Sequence, residues 1–259
     1  MSHRRADLLA LAALAFLATL FFADVLVGVN NFYIRDLTLY SYPGKQILRE
    51  VVLHGEFPYW NRFISGGQPL AANPAHEVFY LPNWLILLPS YNFGFRLLIL
   101  IHIYIALFGM YALLRSMELG PFPSWFGAMA WGLGGLYLSY INLLPYLFSA
   151  AWLPLTCLFT RRFLLQHRAR DFALAALFLG QQFLVGEPTM VIQTGILIGI
   201  YALYRGWSAV PRIAVLSVAG FAVGAAQMLP ALDYVGDSAR SRPFAFEIVA
   251  GWSLPWARL

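Results

Sequence analysis

The chain is poor in charge and nearly devoid of cysteine. Only 11% of its 259 residues are Asp, Glu, Lys or Arg, while 60% are hydrophobic; soluble globular domains carry about a quarter charged residues. That deficit excludes an ordinary water-soluble domain and points to an all-α polytopic membrane protein. The single cysteine, Cys157, lies inside an apolar run, which excludes an intrachain disulfide and a thiolate metal cluster. No stripe of basic residues suits a phosphate backbone, so the formal charge of +5 is read as topology-setting charge and no nucleic-acid partner is expected. The first apolar run, Leu8 to about Gly28, is longer than the core of a signal peptide and has no clear small-residue cleavage site, so it reads as an uncleaved anchor. There is no Asp-x-Asp pair at Asp36, which follows Ile34 and Arg35. No metal site and no resident cofactor are assigned; a divalent cation near Glu77 is the one candidate.

What the sequence does have is long apolar runs. Seven of them approach the roughly twenty residues that cross a bilayer: Leu8 to Val27, Leu97 to Leu114, Trp125 to Ile141, Phe148 to Leu164, Phe172 to Val185, Met190 to Tyr204, and Ile213 to Leu229. A shorter piece, Val78 to Leu88, contains Pro82 and is expected to be re-entrant or interfacial. If the spans alternate, Arg4, Arg5, Arg115, Arg161, Arg162, Arg168, Arg170, Arg205 and Arg212 share one side. By the positive-inside rule that side, with the N-terminus, is cytoplasmic. Residues 29–93 then form a long extracytoplasmic loop within a single transmembrane domain spanning 1–259.

Within the loop, Ile47, Leu48, Val51 and Val52 recur at helical spacing, with Lys45, Arg49 and Glu50 expected on the opposite, polar face of a helix lying on the membrane. Tyr59, Trp60, Trp84 and Tyr91 suit a headgroup-level aromatic belt. After the seventh run the chain ends without a closing helix, as expected of the N-terminal portion of a longer protein.

Four pieces carry a resemblance. They are Asp36 followed by Tyr40-Ser41-Tyr42-Pro43; the run Gly55-Glu56-Phe57-Pro58-Tyr59-Trp60-Asn61 with Gly66-Gly67-Gln68-Pro69-Leu70-Ala71-Ala72-Asn73-Pro74; Gly186-Glu187-Pro188; and Leu229-Pro230 through Ser238 and Arg240. Together they resemble the YfhO family of bacterial membrane proteins, in the GT-C superfamily of glycosyltransferases. The resemblance implies a GT-C-like fold in the bacterial cytoplasmic (inner) membrane. It also implies a polyprenyl-phosphate-linked sugar donor, a cell-envelope glycan or polymer as acceptor, and transfer on the extracytoplasmic side.

Such transfer needs a carboxylate to deprotonate the acceptor hydroxyl and cationic groups to stabilise the departing phosphate. Asp36 is the candidate base, against the alternative of a solvated loop acid. Glu77 is a second carboxylate that can orient the acceptor or a divalent ion, or simply offset a helix dipole; His76 beside it is a minor candidate. Trp60 and Asn61 offer a stacking face and hydrogen bonds to a sugar, or an interface anchor, and Asn73 belongs to the same substrate-binding set. Glu187 stands in a hairpin that suits a turn equally well. Arg240 is the candidate phosphate ligand. Two other readings stay open: a transporter or lipid flippase, and a non-enzymatic envelope scaffold.

Overall fold

The computed structural model describes residues 3–28, 30–64, 66–238, 241–251 and 253. It is all-α apart from one two-residue strand pair. The helices that carry the architecture are α1 (His3–Phe21), α2 (Ala23–Leu26), α3 (Tyr42–Leu53), α4 (Tyr91–Ser116), α5 (Pro121–Gly132), α6 (Gly135–Ser139), α7 (Leu144–Gln166), α8 (Ala169–Val185), α9 (Pro188–Arg205), α10 (Val210–Asp237) and α11 (Phe246–Ala250). A π-helical turn, Leu37–Ser41, runs directly into α3.

Each expected apolar run is largely helical, and two are not single helices: Leu8 to Val27 breaks at Phe22 between α1 and α2. The run Trp125 to Ile141 breaks after Gly132 into α5, the short α6 and a 3-10 turn at Tyr140–Asn142. Gly132 packs so closely on Leu107 of α4 that a Cβ there would lie 2.7 Å from its side chain. Gly134 follows in extended backbone, which ends the helix. The piece Val78 to Leu88 is a 3-10 helix, Leu81–Leu87, too short to cross a bilayer.

By length and composition, α4 and the continuous helical stretch Trp207–Asp237 can cross a membrane. The outer surface of the bundle is strongly apolar. Ile192, Ile196 and Ile200 on α9 and Val215, Val218, Leu229 and Leu232 on α10 are all exposed. A continuous apolar surface of this kind needs lipid or protein against it.

The core sits where α4, α5 and α7 meet, with Leu98, Ile99, Ile103, Leu107, Leu147 and Phe148 wholly buried. A second cluster, including Ala175, Ile198, Ala202 and Leu216, joins α8, α9 and α10. The two ends of the bundle differ chemically. At one end Asp7 of α1 pairs with Arg115 of α4 at 2.6 Å, and Arg162 of α7 lines the same cavity. At the other lie the loop and the starts of α7 and α9, where the Tyr146 and Thr189 hydroxyls are 3.4 Å apart.

Small residues set a close helix contact. On α10, Gly224 meets Phe183 of α8 so tightly that an added Cβ would stand 2.2 Å from the Phe183 Cβ and 3.2 Å from its backbone. Gly199 on α9, by contrast, faces open space. Gly224→Leu is expected to overpack this contact and cost about 1–3 kcal/mol, lowering the melting temperature in detergent. Gly199→Ala should leave it unchanged or raise it, since Ala favours a helix interior by about 0.5–1 kcal/mol. Equal melting of the two variants would show that the α8–α10 contact is not tight.

Candidate functional site

The loop is organised from inside by a buried ion pair. Lys45 is 1% exposed and Glu77 is 0% exposed. The Lys45 Nζ donates to Glu77 Oε2, and also to Asn83 Oδ1 at 2.7 Å. This corrects the expected polar outer face of α3: Gly44, Lys45, Leu48 and Val51 form its buried side, while Glu50 points outward. Amphipathic spacing alone could not tell that the cation faces inward, because its partner lies 32 residues away.

Backbone geometry presents Glu77 to that cation. Asn73 caps the 3-10 turn Pro74–His76 by accepting from the Ala75 N–H at 3.1 Å. Glu77 ends the turn in the left-handed region, φ 44°, so it is a C-terminal residue there and does not open the next helix. Asn83 Nδ2 locks the corner by donating to the carbonyls of His76, at 2.8 Å, and Glu77, at 3.0 Å. The other carboxylate oxygen, Glu77 Oε1, is buried without a partner among the described residues.

Burial dominates the electrostatics. It raises the Glu77 carboxyl from 4.5 to about 7 against the opposing pull of Lys45, and it lowers the Lys45 ammonium. It also lowers His76 to about 4, with the Lys45 charge adding to the effect. All three shifts favour neutral forms, because removing a charge from water costs more than one partner returns.

Beneath the pair runs a relay of aromatic and imidazole groups. Trp152 Nε1 donates to the Tyr80 hydroxyl at 2.6 Å, and that hydroxyl bonds His102 Nε2. His102 Nδ1 lies 2.6 Å from the Leu98 carbonyl, which can only accept, so Nδ1 carries the hydrogen and Nε2 receives the Tyr80 proton. Phe148 stacks on His102 with centroids 4.1 Å apart, and the Lys45 Nζ sits 5.7 Å from the Phe148 ring.

The remaining candidates separate by environment. Asp36 is exposed, and its backbone N–H is held by Asn142 Oδ1 at 3.0 Å. It precedes the π-turn that carries Tyr40. Tyr40 accepts from Asn73 Nδ2 at 3.1 Å and stacks on His76 at 5.9 Å. Asn73 and His76 are therefore joined through Tyr40, which follows Asp36 by four residues in the chain, whereas Glu77 faces inward.

Trp60, 53% exposed, lies over Gly67, where φ is 115° and a Cβ would meet its indole at 2.3 Å. Asn61 is buried, and its side chain accepts from the Phe63 N–H at 3.0 Å, a turn role. Strand β1 (Trp60–Asn61) pairs antiparallel with β2 (Gln68–Pro69). Glu187 caps α9 by accepting from the Thr189 N–H at 2.9 Å. The preceding Gly186, φ 74°, presses on Pro74, which a Cβ would approach to 2.4 Å. Arg240 lies outside the described residues.

No group of three or more His, Cys, Asp or Glu able to hold a metal occurs among the described residues. At Glu77 the place of a cation is taken by the Lys45 ammonium, so the donor set does not fit a divalent ion. Sequence reasoning missed Lys45, Asn83, Tyr80 and Trp152. One signal was there to find: Lys45 is the only lysine in the chain. Comparison with known proteins finds no matching family model, curated protein or solved structure.

Lys45→Met or Glu77→Leu alone should destabilise the fold by about 3–5 kcal/mol, because each leaves a buried charge uncompensated. The double substitution should recover most of that loss in denaturant titration; additive losses would show that the two groups are not coupled. The pH dependence has a defined sign. The native Glu77 carboxyl holds its proton more tightly than the unfolded one, so its contribution is full below about pH 4.5 and is lost as pH rises through about 7. The melting temperature of the wild type relative to Glu77→Gln should therefore fall across that window.

Proposed function

We propose that this chain is an integral membrane glycosyltransferase of GT-C type, or the N-terminal part of one. It moves a sugar from a polyprenyl phosphate to an extracytoplasmic cell-envelope acceptor. In this reading the seven apolar segments cross the bacterial cytoplasmic membrane with the N-terminus inside, and the loop caps the outer end. The exposed apolar faces of α9 and α10 support lipid contact. The separation of the Asp7–Arg115 end from the loop end supports the orientation.

The observation that carries the assignment is the setting of Asp36. It is an exposed carboxylate immediately before the π-turn that carries Tyr40, whose hydroxyl meets Asn73 and whose ring stacks on His76. π-Turns occur often at functional sites. Asp36 acts as the base that takes the acceptor proton, and Asn73 orients the acceptor. His76, held neutral at physiological pH by burial, packs on Tyr40. Glu77 is a positioning residue that holds the turn carrying Asn73 and His76. Trp60 offers its exposed indole to a sugar ring, and Arg240 is the proposed phosphate ligand.

Asp36→Asn is expected to abolish sugar transfer from a polyprenyl-phosphate donor in reconstituted membranes while leaving expression, insertion and melting temperature intact. Retention of more than about a tenth of wild-type turnover would overturn the role, since general-base catalysis contributes at least about a hundredfold. Substrate accumulation in proteoliposomes without transfer would favour the transporter reading.

A further inference from the structure

The end of the bundle opposite the loop carries a second, unrelated feature. A cavity of about 830 Å³ opens between α1 and α4, walled by Leu8, Leu11, Phe108 and Ala112, with the Asp7–Arg115 pair and Arg162 also on its lining. A second cavity of about 320 Å³ lies at the α7–α8 turn, lined by Arg162, Gln166, Arg168, Arg170 and Asp171. Arg162 lines both, so the apolar groove and the cluster of arginines adjoin at that side chain. Among the described residues none of Arg162, Arg168 and Arg170 has an ion-pair partner. The contact found for Arg162 is the Phe159 ring, 5.4 Å from its guanidinium carbon.

Three guanidinium groups and one carboxylate leave a net positive site. The turn is shaped by His167 at φ 54°, and Arg168, the residue before α8, gives no side-chain cap to the helix's first N–H groups. Those N–H groups and the helix dipole add to the preference for an anion. The groove beside them is mostly apolar, and its one carboxylate, Asp7, is paired with Arg115, so the complementary ligand has a phosphate joined to a hydrocarbon chain.

We propose that this groove and turn form a binding site for an anionic phospholipid. The phosphate sits on Arg162, Arg168 and Arg170, and one acyl chain lies along Leu8, Leu11, Phe108 and Ala112. The site is independent of sugar transfer and lies at the other end of the bundle from Asp36.

The test uses the full chain purified in mild detergent, exchanged into nanodiscs of phosphatidylcholine with or without phosphatidylglycerol, and followed by native mass spectrometry and thermal melting. Wild type should retain phosphatidylglycerol and melt higher in its presence. Arg162→Gln/Arg168→Gln/Arg170→Gln should weaken retention at least about tenfold, and Arg205→Gln/Arg212→Gln, at another basic turn, should not. Ala12→Trp, at an exposed position in the groove, should weaken retention with every arginine intact, and it decides the matter if the triple variant fails to insert. Equal loss in the Arg205/Arg212 variant would reduce the effect to general surface charge and overturn the proposal. So would stabilisation of the same size by glycerophosphate alone, which has no chain for the groove, or unchanged retention in Ala12→Trp.

Discussion

The buried Lys45–Glu77 pair is the constraint on which the loop depends. Its partners come from α3 and from a turn 32 residues later, so it closes most of the loop in one contact, and Asn83 ties it to the following 3-10 helix. An unpaired charge at either position would cost several kcal/mol, and so the three side chains are stable only together. The choice of lysine is physically apt. A compact ammonium can give up its proton or share it when buried, whereas a guanidinium stays charged and seeks a planar, bidentate partner. The remaining cost is the bare Glu77 Oε1, about 1–3 kcal/mol for an unmet acceptor. That cost keeps the pair from being a simple stabiliser; it defines one arrangement of the loop and penalises others.

Other contacts fasten the cap so formed to the bundle, and the hydrogen bonds among them are accepted by backbone carbonyls. Arg49 donates to the carbonyls of Ile86, Leu88 and Pro89, which terminate the 3-10 helix before α4 and would otherwise lack partners. Gln227 of α10 donates to the Ala71 carbonyl at 3.0 Å, and the Gly186 hairpin seats Pro74. Two carboxylates in one loop thus have separate environments. Glu77 is desolvated, paired and inaccessible, while Asp36 is exposed on a backbone fixed by Asn142. Only the second is accessible to solvent without the loop opening.

The apolar helices were legible in the sequence because hydrophobic runs of this length have few alternatives to helix in an apolar surrounding. The break at Gly132–Gly134 was not, since those glycines also suit tight helix packing, and Gly132 does pack that way. The inward face of α3 was misread for a related reason. Lys45, Arg49 and Glu50 look alike as polar residues on a helical wheel, yet Lys45 meets a carboxylate, Arg49 meets carbonyls and only Glu50 meets solvent. Asn61 and Glu187, candidates for ligand contact, also make a turn and a cap, because Asn and Glu oxygens accept from local N–H groups as readily as from sugars.

The same reasoning bears on how the chain can obey an orientation rule at all. Lys45, Arg49, Arg62 and Arg96 lie at the loop end, where the proposed topology wants few free cations. Lys45 is buried against Glu77, Arg49 is spent on carbonyls, Arg62 pairs with Glu56 at 3.1 Å, and Arg96 reaches the Asn30 carbonyl at 3.5 Å. At the opposite end Arg162, Arg168 and Arg170 have no such partners among the described residues. Arg35, also in the loop, is exposed and has no such partner among the described residues, so pairing lowers the free positive charge at the loop end without removing it; an unpaired arginine is the kind a lipid phosphate can still engage.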